Sequence, residues 1–270
     1  MDLRVLLLTV SLSIAGNCHL EKSLKITHQF ESGLIVAKAH QKPLLLCFLG
    51  GRWCLDSARM LNEIIDSNIF SQMIGNRLIT ILVDLNGEFE GPAQFEAKSA
   101  LIEKFHIDAF PRFLLVDSEL NELTRFGSFD GDAVGFANCL LTAIDNFNQI
   151  TLKLKEKQPK DLIHLYQLAS NLGSKFLKDT ILNRAIEQES IDAELKIEEY
   201  LRRIQQQQNK TDLAQFKERY LSTDFDQNTA LLQRVAFIDY QNGLPLDQKE
   251  KGVIESMITA NSKDLVLKSP

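Results

Sequence analysis

Two continuous apolar runs of strand length limit what this chain can fold into. The first, LLLCFL, covers residues 44–49, and the second, RLITILVDL, covers residues 77–85. A strand exposed on one face alternates apolar and polar residues, whereas an unbroken apolar run is typical of a strand buried on both faces. The two runs therefore predict a central sheet whose two faces are both covered by helices.

The segments around these strands predict the remaining elements of an α/β domain. Apolar residues at helical spacing predict helices over residues 26–40, 55–65 and 93–105, and from Asp130 or Asp132 toward Lys157. A strand, a bend and a second strand are predicted over residues 113–117, 119–121 and 123–126. Parallel strands joined by helices and closed by an antiparallel hairpin form a mixed central sheet.

A tryptophan–cysteine pair stands between the first predicted strand and the next helix, in the stretch GGRWCLDS (50–57). The thiolate, and not the thiol, is the nucleophile that attacks a disulfide. The helix start and the side chains of Arg52 and Arg112 favour the thiolate of Cys54, whereas the carboxylate of Asp56 opposes it. We therefore predict that Cys54 is more ionised than a free cysteine.

The segment from Lys42 to Gly127 resembles the thioredoxin superfamily, especially its secreted bacterial, disulfide-isomerase-type members. These proteins combine Lys-Pro, a hydrophobic strand, Trp-Cys-x-x-Cys and a later X-Pro before a strand that ends in Asp. This chain has KPLLLCFLGGRWCLDS and FPRFLLVDSELNELTRFG in the same order. The resemblance implies a thioredoxin-like fold in which Cys54 is the nucleophile and Pro111 a cis-proline beside it. It also implies a client groove formed by Trp53, Phe110 and Arg112.

Two positions depart from the pattern of the superfamily. Ser57 stands where a second cysteine would complete the dithiol, and Phe48 stands where thioredoxins keep a buried carboxylate. A dithiol site uses its second thiol to release the product from a mixed disulfide. Ser57 is able to donate a hydrogen bond to the Cys54 thiolate, but it has no sulfur for that release. The resemblance therefore implies a variant site in which Cys54, Ser57 and Pro111 act without a resolving thiol.

The other cysteines and the histidines suggest neither a resolving thiol nor a metal site. Cys47 lies within the predicted buried strand, and Cys139 lies on the last predicted helix of the domain. No two cysteines are two to four residues apart, and the five histidines show no ligand spacing. We therefore expect no bound metal and no cofactor.

The first residues have the pattern of an export signal. Arg4 precedes an apolar run that is too short to span a bilayer but suits the hydrophobic region of a signal peptide, followed by Ala15 and Gly16. We predict a signal peptide over residues 1–17 and a periplasmic or secreted protein. Lipidation of Cys18, which would anchor the chain to a membrane, is disfavoured because Asn17 precedes it. A buried N-terminal strand or helix remains the alternative interpretation.

The character of the sequence changes after Gln158-Pro159. Strand-like runs disappear, and amphipathic helical segments continue to the end of the chain. We predict a thioredoxin-like domain over residues 22–157 and a helical domain of about five helices over residues 160–262. The resemblance to thioredoxins does not extend to this second domain.

Two hypotheses about function follow. In the first, the chain is an exported thiol–disulfide exchange protein that works with one cysteine on client proteins with thiols or disulfides, together with an external thiol or redox partner. In the second, it is a non-catalytic scaffold or assembly factor that binds partner proteins through its groove and helical domain. The net charge of -6 and the lack of a basic cluster argue against nucleic acid as a partner.

Overall fold

The computed structural model describes residues 26–85, 92–156, 160–188 and 191–266. The predicted signal peptide and Cys18 lie outside the described residues. The chain divides into two compact units, one formed by residues 1–160 and 164–179 and the other by residues 161–163 and 180–270. The predicted domain boundary at residues 158–159 stays a prediction, and the compact units differ from it because they assign residues 164–179 to the first unit.

A five-stranded mixed sheet forms the centre of the first unit. Its strands are β1 (Ile26–Thr27), β2 (Leu44–Leu49), β3 (Ile79–Asp84), β4 (Arg112–Val116) and β5 (Glu122–Phe126), in the order β1-β3-β2-β4-β5. β3 pairs in parallel with β1 and β2, whereas β4 pairs antiparallel with β2 and β5. The predicted mixed sheet is therefore confirmed. The helix predicted from Ile26 is wrong at its start, because Ile26 and Thr27 form the edge strand β1.

The α-helices of the chain, in order, are α1 (Phe30–His40), α2 (Leu55–Arg59), α3 (Asn68–Ile74), α4 (Pro92–Lys104), α5 (Ala133–Leu154), α6 (Leu162–Asn171), α7 (Lys175–Ile186), α8 (Ala193–Gln205), α9 (Lys210–Tyr220), α10 (Thr229–Gln241) and α11 (Gln248–Val266). A π-helical segment, Met60–Ile65, continues α2. Short 3-10 turns cover Gly51–Trp53 and Ser222–Asp224. Asp132 is the N-cap of α5, and its carboxylate accepts a hydrogen bond from the Gly135 N–H at 2.8 Å.

Helices cover both faces of the sheet, as the apolar strands predict. On one face, Leu44, Leu46 and Phe48 of β2 pack in the same core cluster as Val36 and Ala37 of α1. On the other face, Phe136 of α5 is fully buried, and its ring contacts those of Phe70, Phe113, Phe126 and Phe129. Every residue of β2 is buried, which explains why its sequence contains no polar side chain.

A hydrogen bond connects residues 164–179 to the edge of the sheet. β5 is an edge strand, and the Ser174 hydroxyl donates a hydrogen bond to the Glu122 carbonyl at 2.9 Å. The same hydroxyl oxygen accepts a hydrogen bond from the Leu177 N–H at 3.3 Å, in the first turn of α7. The start of α7 thus satisfies one backbone group of a strand whose outer side has no neighbouring strand.

The second unit consists of helices in its described part and contains no strand there. Six helices, α6 to α11, lie within residues 162–266, where the sequence indicated about five. Most of α6 and the start of α7 belong to the first unit. The core of the second unit includes Tyr200, Phe216 and Val235, and the Tyr200 and Phe216 rings stack with centroids 6.1 Å apart. Within the described ranges of the whole chain, no helix is long and apolar enough to cross a membrane.

A buried polar network connects four helices of this unit. Lys217 of α9 donates to Asp239 of α10 and to Glu250 of α11, with both Nζ–O distances 2.9 Å. Tyr200 of α8 donates its hydroxyl hydrogen to Asp239 at 2.7 Å. The Asp239 and Glu250 side chains are completely buried, whereas Lys217 is 14% exposed. Glu250 also forms a capping box with Asp247, since each side chain accepts the other residue's backbone N–H at 2.8 Å.

The network makes the stability of the helical unit sensitive to alkaline pH. Burial and the hydrogen bond to Asp239 raise the pKa of Tyr200. Burial opposes the charge of Lys217, but its hydrogen bonds and ion pairs with Asp239 and Glu250 raise its pKa overall. In the unfolded chain, Tyr200 and Lys217 lose their protons at about pH 10. Because the folded unit retains both protons to higher pH, its free energy of unfolding is expected to fall as the pH rises above about 10.

Chemical denaturation monitored by far-UV circular dichroism at a series of alkaline pH values measures this dependence. Tyr200→Phe removes one of the two titrating groups, so this variant is expected to show a shallower decrease. A decrease of equal slope in the variant would show that Tyr200 does not contribute to it.

Candidate functional site

The loop that carries Cys54 begins directly at the end of β2. Gly50 follows the last residue of that strand, and Gly51 adopts a left-handed backbone conformation with φ +63°. The 3-10 turn Gly51–Trp53 then leads to Cys54, whose N–H donates to the Gly51 carbonyl at 3.3 Å. Cys54 is the N-cap residue of α2 and is partly exposed. The turn therefore places the thiol beyond the carboxyl end of β2, the middle strand of the sheet.

Gly50 lies in close contact with Trp53, the last residue of the turn, and with Cys54, which follows it. A Cβ atom at this position would lie 2.8 Å from the Cys54 Cβ and 2.8 Å from the nearest atom of the Trp53 ring. The Gly50 N–H also donates to Ser57 Oγ at 3.0 Å. The glycine therefore allows the start of the loop and the start of α2 to lie against each other.

Gly50→Ala is expected to displace Cys54 and Trp53, because the new methyl group overlaps both. Overpacking of this kind costs about 1–3 kcal/mol of unfolding free energy, and the displaced thiol is expected to react with disulfides at an altered rate. Gly252→Ala is a matched control, since its Cβ would meet nothing within 4 Å in helix α11. That control is expected to stabilise the chain by about 0.5–1 kcal/mol. Equal stability and thiol reactivity of Gly50→Ala and the wild type would contradict the close packing.

Four of the residues that the sequence singled out lie together around the thiol. Cys54 Sγ donates a hydrogen bond to the Phe110 carbonyl at 3.5 Å. The Phe110–Pro111 peptide bond is cis, and Pro111 is buried directly before β4. Trp53 packs edge-to-face on Phe110, with ring centroids 5.8 Å apart and an interplanar angle of 86°. The tryptophan itself is 68% exposed, so its indole ring forms part of the surface beside Cys54.

Ser57 occupies a more enclosed position than Cys54. Its side chain is buried, with the residue 2% exposed, and its oxygen accepts the hydrogen bond from Gly50. The predicted hydrogen bond from Ser57 to the Cys54 thiolate stays a prediction. Ser57 also lines a recess of about 180 Å³, together with Leu49, Gly51, Ala58, Leu61, Asn62 and Asp84.

The charged residues named by the sequence have different surroundings. Arg112 donates to Asp108 at 2.8 Å, and this hydrogen bond together with a backbone hydrogen bond and the positive charge lowers the pKa of Asp108. The charge of Arg112 is thus balanced by an acidic partner four residues earlier. Asp56 is exposed in the first turn of α2. The side chain of Arg52 lies outside the described part of the structure, so its predicted effect on Cys54 stays a prediction.

The helix after Cys54 differs from the regular helix that the sequence predicted. Its α-helical part contains only five residues, Leu55–Arg59, before the π-helical segment begins. Arg59 fixes this helix to the loop before α5, because its guanidinium donates to the Phe129 carbonyl at 2.6 Å. Because the π-helical segment continues α2 without a break, the peptide dipoles of both segments are aligned in one helix that begins at Cys54.

The remaining described cysteines differ strongly from Cys54. Cys47 is completely buried in β2, and burial raises the pKa of its thiol. Cys139 is exposed on α5. Phe48 stands where thioredoxins keep a buried carboxylate. It is completely buried and packs against Phe105, with ring centroids 6.2 Å apart. In the described residues, no group of three or more His, Cys, Asp or Glu side chains is placed to hold a metal ion.

Sequence reasoning missed three features of the site. These are the close packing of Gly50, the Asp108–Arg112 ion pair, and the 83% exposure of Leu55 directly after the cysteine. The Gly-Gly pair before Trp53 is a signal that points to the first of these. The spacing of Asp108 and Arg112 is no such signal, because the i,i+4 rule applies to helices and these residues lie in a loop and at the start of β4. The recess beside Ser57 is a further feature without a signal in the sequence, because residues from β2, α2 and β3 form it.

Comparison with known proteins gives two relatives from Chlamydia pneumoniae. The chain is 25% identical over 109 residues to disulfide bond reductase DsbH, a match that covers 40% of this chain and 66% of the relative. It is 27% identical over 163 residues to the thioredoxin-related protein DsbJ, covering 56% of this chain and 45% of the relative. The sheet order, the cysteine at the start of α2 and the proline before β4 are the features on which the resemblance to the thioredoxin superfamily rests. The chain is a thioredoxin-like protein.

The likeness covers only part of each protein. This thioredoxin-like chain spans less than two thirds of the length of both relatives. A solved structure of a DsbH oxidoreductase matches 43% of the chain and 82% of its own length, at 24% identity and with a TM-score of 0.42. No family model matches the chain.

Proposed function

We propose that this protein is an exported thiol–disulfide exchange protein that uses one nucleophilic cysteine, Cys54. The observation that carries the proposal is the position of the Cys54 thiol, partly exposed and 3.5 Å from the Phe110 carbonyl beside Pro111. The name of one relative, a disulfide bond reductase, supports the same type of reaction. Cys54 is the nucleophile, whereas Trp53, Phe110 and Arg112 border the groove in which a client segment lies.

The reaction begins when the Cys54 thiolate attacks one sulfur of a client disulfide. The client S–S bond breaks, a Cys54–client disulfide forms, and the other client sulfur leaves as a thiolate that takes up a proton. Ser57 has no sulfur with which to continue. A thiolate from outside the site, on the client itself or on a separate thiol, then attacks the mixed disulfide and releases Cys54.

The absence of a second sulfur in the motif favours rearrangement over net transfer of electrons. If the releasing thiol belongs to the client, the disulfide returns to the client in a new pairing, and no electrons are gained or lost. If the releasing thiol belongs to a separate molecule, the client sulfur is left in a mixed disulfide with that molecule. A second such thiol then displaces it, so the client ends with two thiols and the two external thiols end joined in a disulfide. The role proposed for the protein is therefore disulfide isomerisation or thiol-dependent reduction.

Activity on a protein with scrambled disulfides, in the presence of a small thiol, tests the proposal. The wild type and Cys139→Ala are expected to restore the native pairing at the same rate, since Cys139 lies outside the site. Cys54→Ala is expected to reduce the rate to that of the small thiol alone. Equal rates for Cys54→Ala and the wild type would rule the proposal out.

A non-catalytic scaffold is the second candidate function. The second unit favours it, since this helical unit exposes the apolar side chains of Phe237, Tyr240 and Ile258. In that case Cys54→Ala leaves the biological function intact, whereas substitutions on the helical surface abolish it. A complementation assay with both sets of variants distinguishes the two functions.

Export is part of the first proposal and rests on the pattern of residues 1–17. N-terminal sequencing of the protein recovered from cells is expected to show removal of this segment. Recovery of the full chain from the cytoplasm only would contradict export.

A further inference from the structure

We propose that Leu55 and Asp56 determine which disulfides Cys54 attacks, and that they favour a client cysteine with a large apolar residue on one side and a basic residue on the other. This inference rests on the proposed function and specifies its substrate class. Both residues lie between Cys54 and Ser57, and both are exposed at the first turn of α2.

The exposure of Leu55 is the first observation. At 83%, it is the highest among the exposed large apolar side chains of the described residues. Single exposed leucines are common on protein surfaces and need no explanation. Here, however, Leu55 and the 68% exposed Trp53 are the two chain neighbours of Cys54. Both expose apolar surface directly next to the cysteine in the chain.

The geometry of a disulfide brings a client onto this surface. In a disulfide the two Cα atoms are about 5.5–6 Å apart. The residues next to the client cysteine are therefore brought close to the residues next to Cys54, which are Trp53 and Leu55. A large apolar side chain next to the client cysteine removes Leu55 from water. A polar side chain in its place leaves Leu55 exposed, or buries Leu55 without an apolar contact.

Charge provides the second observation. The exposed carboxylate of Asp56 is one residue further along the same turn. The acidic Asp108 is already paired with Arg112, so that pair adds little net charge to the site. The net charge of the chain is -6, which attracts a basic client over a longer range. A basic side chain beside the client cysteine is thus complementary to Asp56 and to the chain as a whole.

Peptides with activated disulfides test the preference directly. Three cysteine peptides with the cores Leu-Cys-Lys, Leu-Cys-Glu and Ser-Cys-Ser are each joined to a coloured thiol, and release of that thiol is timed with the full chain. All variants carry Cys139→Ala, and the rate of Cys54→Ala is subtracted. We expect the Leu-Cys-Lys peptide to react about tenfold faster than Ser-Cys-Ser and about fivefold faster than Leu-Cys-Glu at low salt.

Two variants assign the preference to its residues. Leu55→Ser is expected to remove most of the difference between the apolar peptides and Ser-Cys-Ser. Asp56→Asn is expected to remove the difference between the lysine and glutamate peptides, as is high salt in the parent protein. Arg52→Gln serves as the charge control and is expected to retain the preference for lysine.

The outcomes distinguish a failure of the proposed client preference from a failure of the proposed exchange activity of Cys54. Equal rates for the three peptides in the parent protein, or preferences that survive Leu55→Ser and Asp56→Asn, would overturn the inference and leave the exchange activity standing. If none of the peptides reacts at Cys54, the proposed function fails and the inference fails with it.

Discussion

Replacement of Lys217 by methionine is expected to lower the free energy of unfolding of the helical unit by about 3–5 kcal/mol. The ammonium group of Lys217 lies 2.9 Å from carboxylate oxygens of both Asp239 and Glu250, and these two side chains are completely buried. Removal of the lysine leaves two negative charges in the interior without their cation. The carboxylates must then take up protons, admit water or separate.

Chemical denaturation monitored by far-UV circular dichroism measures this loss. Lys249→Met is the matched control, because Lys249 pairs with Asp226 at 2.6 Å on the surface and both side chains are exposed. Loss of such a surface pair is expected to change the unfolding free energy by less than about 1 kcal/mol. A loss equally small for Lys217→Met would show that the buried network does not stabilise the unit.

Ser57→Cys is expected to convert the single-thiol site into a dithiol site. The new thiol would stand three residues after Cys54, in the position now held by a buried hydroxyl. A thiol one helical turn from Cys54 in the same chain acts at an effective concentration of about 1 mM or more, so with an external thiol at about 10 µM the Cys54–client disulfide is expected to break about 100-fold faster. The products are a free client thiol and, within the variant, a disulfide between Cys54 and the introduced thiol.

Stopped reactions analysed by intact mass follow the lifetime of the mixed disulfide. Ser57→Ala is the control, since it removes the hydroxyl without adding sulfur, and its mixed disulfide is expected to persist as long as in the wild type. An equally persistent mixed disulfide in Ser57→Cys would mean that position 57 does not reach the Cys54 sulfur.

The main strands of the fold were predictable because the local sequence of each strand indicates its burial. β2 and β3 lie inside two unbroken apolar runs, and the hairpin β4–β5 follows a clear strand–turn–strand pattern. β1 was missed because a strand of two residues, Ile26–Thr27, has no periodicity that sets it apart from the helix after it. The π-helical segment was missed because its apolar residues also fit ordinary helical spacing.

Features that depend on distant contacts were not predictable. The Ser174–Glu122 hydrogen bond joins residues 52 positions apart and places part of the helical half in the first unit. Lys217, Asp239 and Glu250 look like surface charges in the sequence, since charged residues are rarely buried. At the candidate site, the positions of Trp53, Cys54 and Pro111 followed from the motifs. The enclosure of Ser57 did not, because it depends on the packing of the loop against the strand ends.

The most direct test of the account is the mass of the full chain after reaction with a peptide disulfide, followed by peptide mapping of the adduct. If Cys54 is the working thiol, a peptide is expected to attach at Cys54, to stay attached until a thiol is added, and then to be released completely. Cys47, buried in β2, is expected to stay unmodified until the chain is unfolded. No adduct at Cys54, under conditions in which the exposed Cys139 does react, would contradict the claim that Cys54 is the working thiol of this protein.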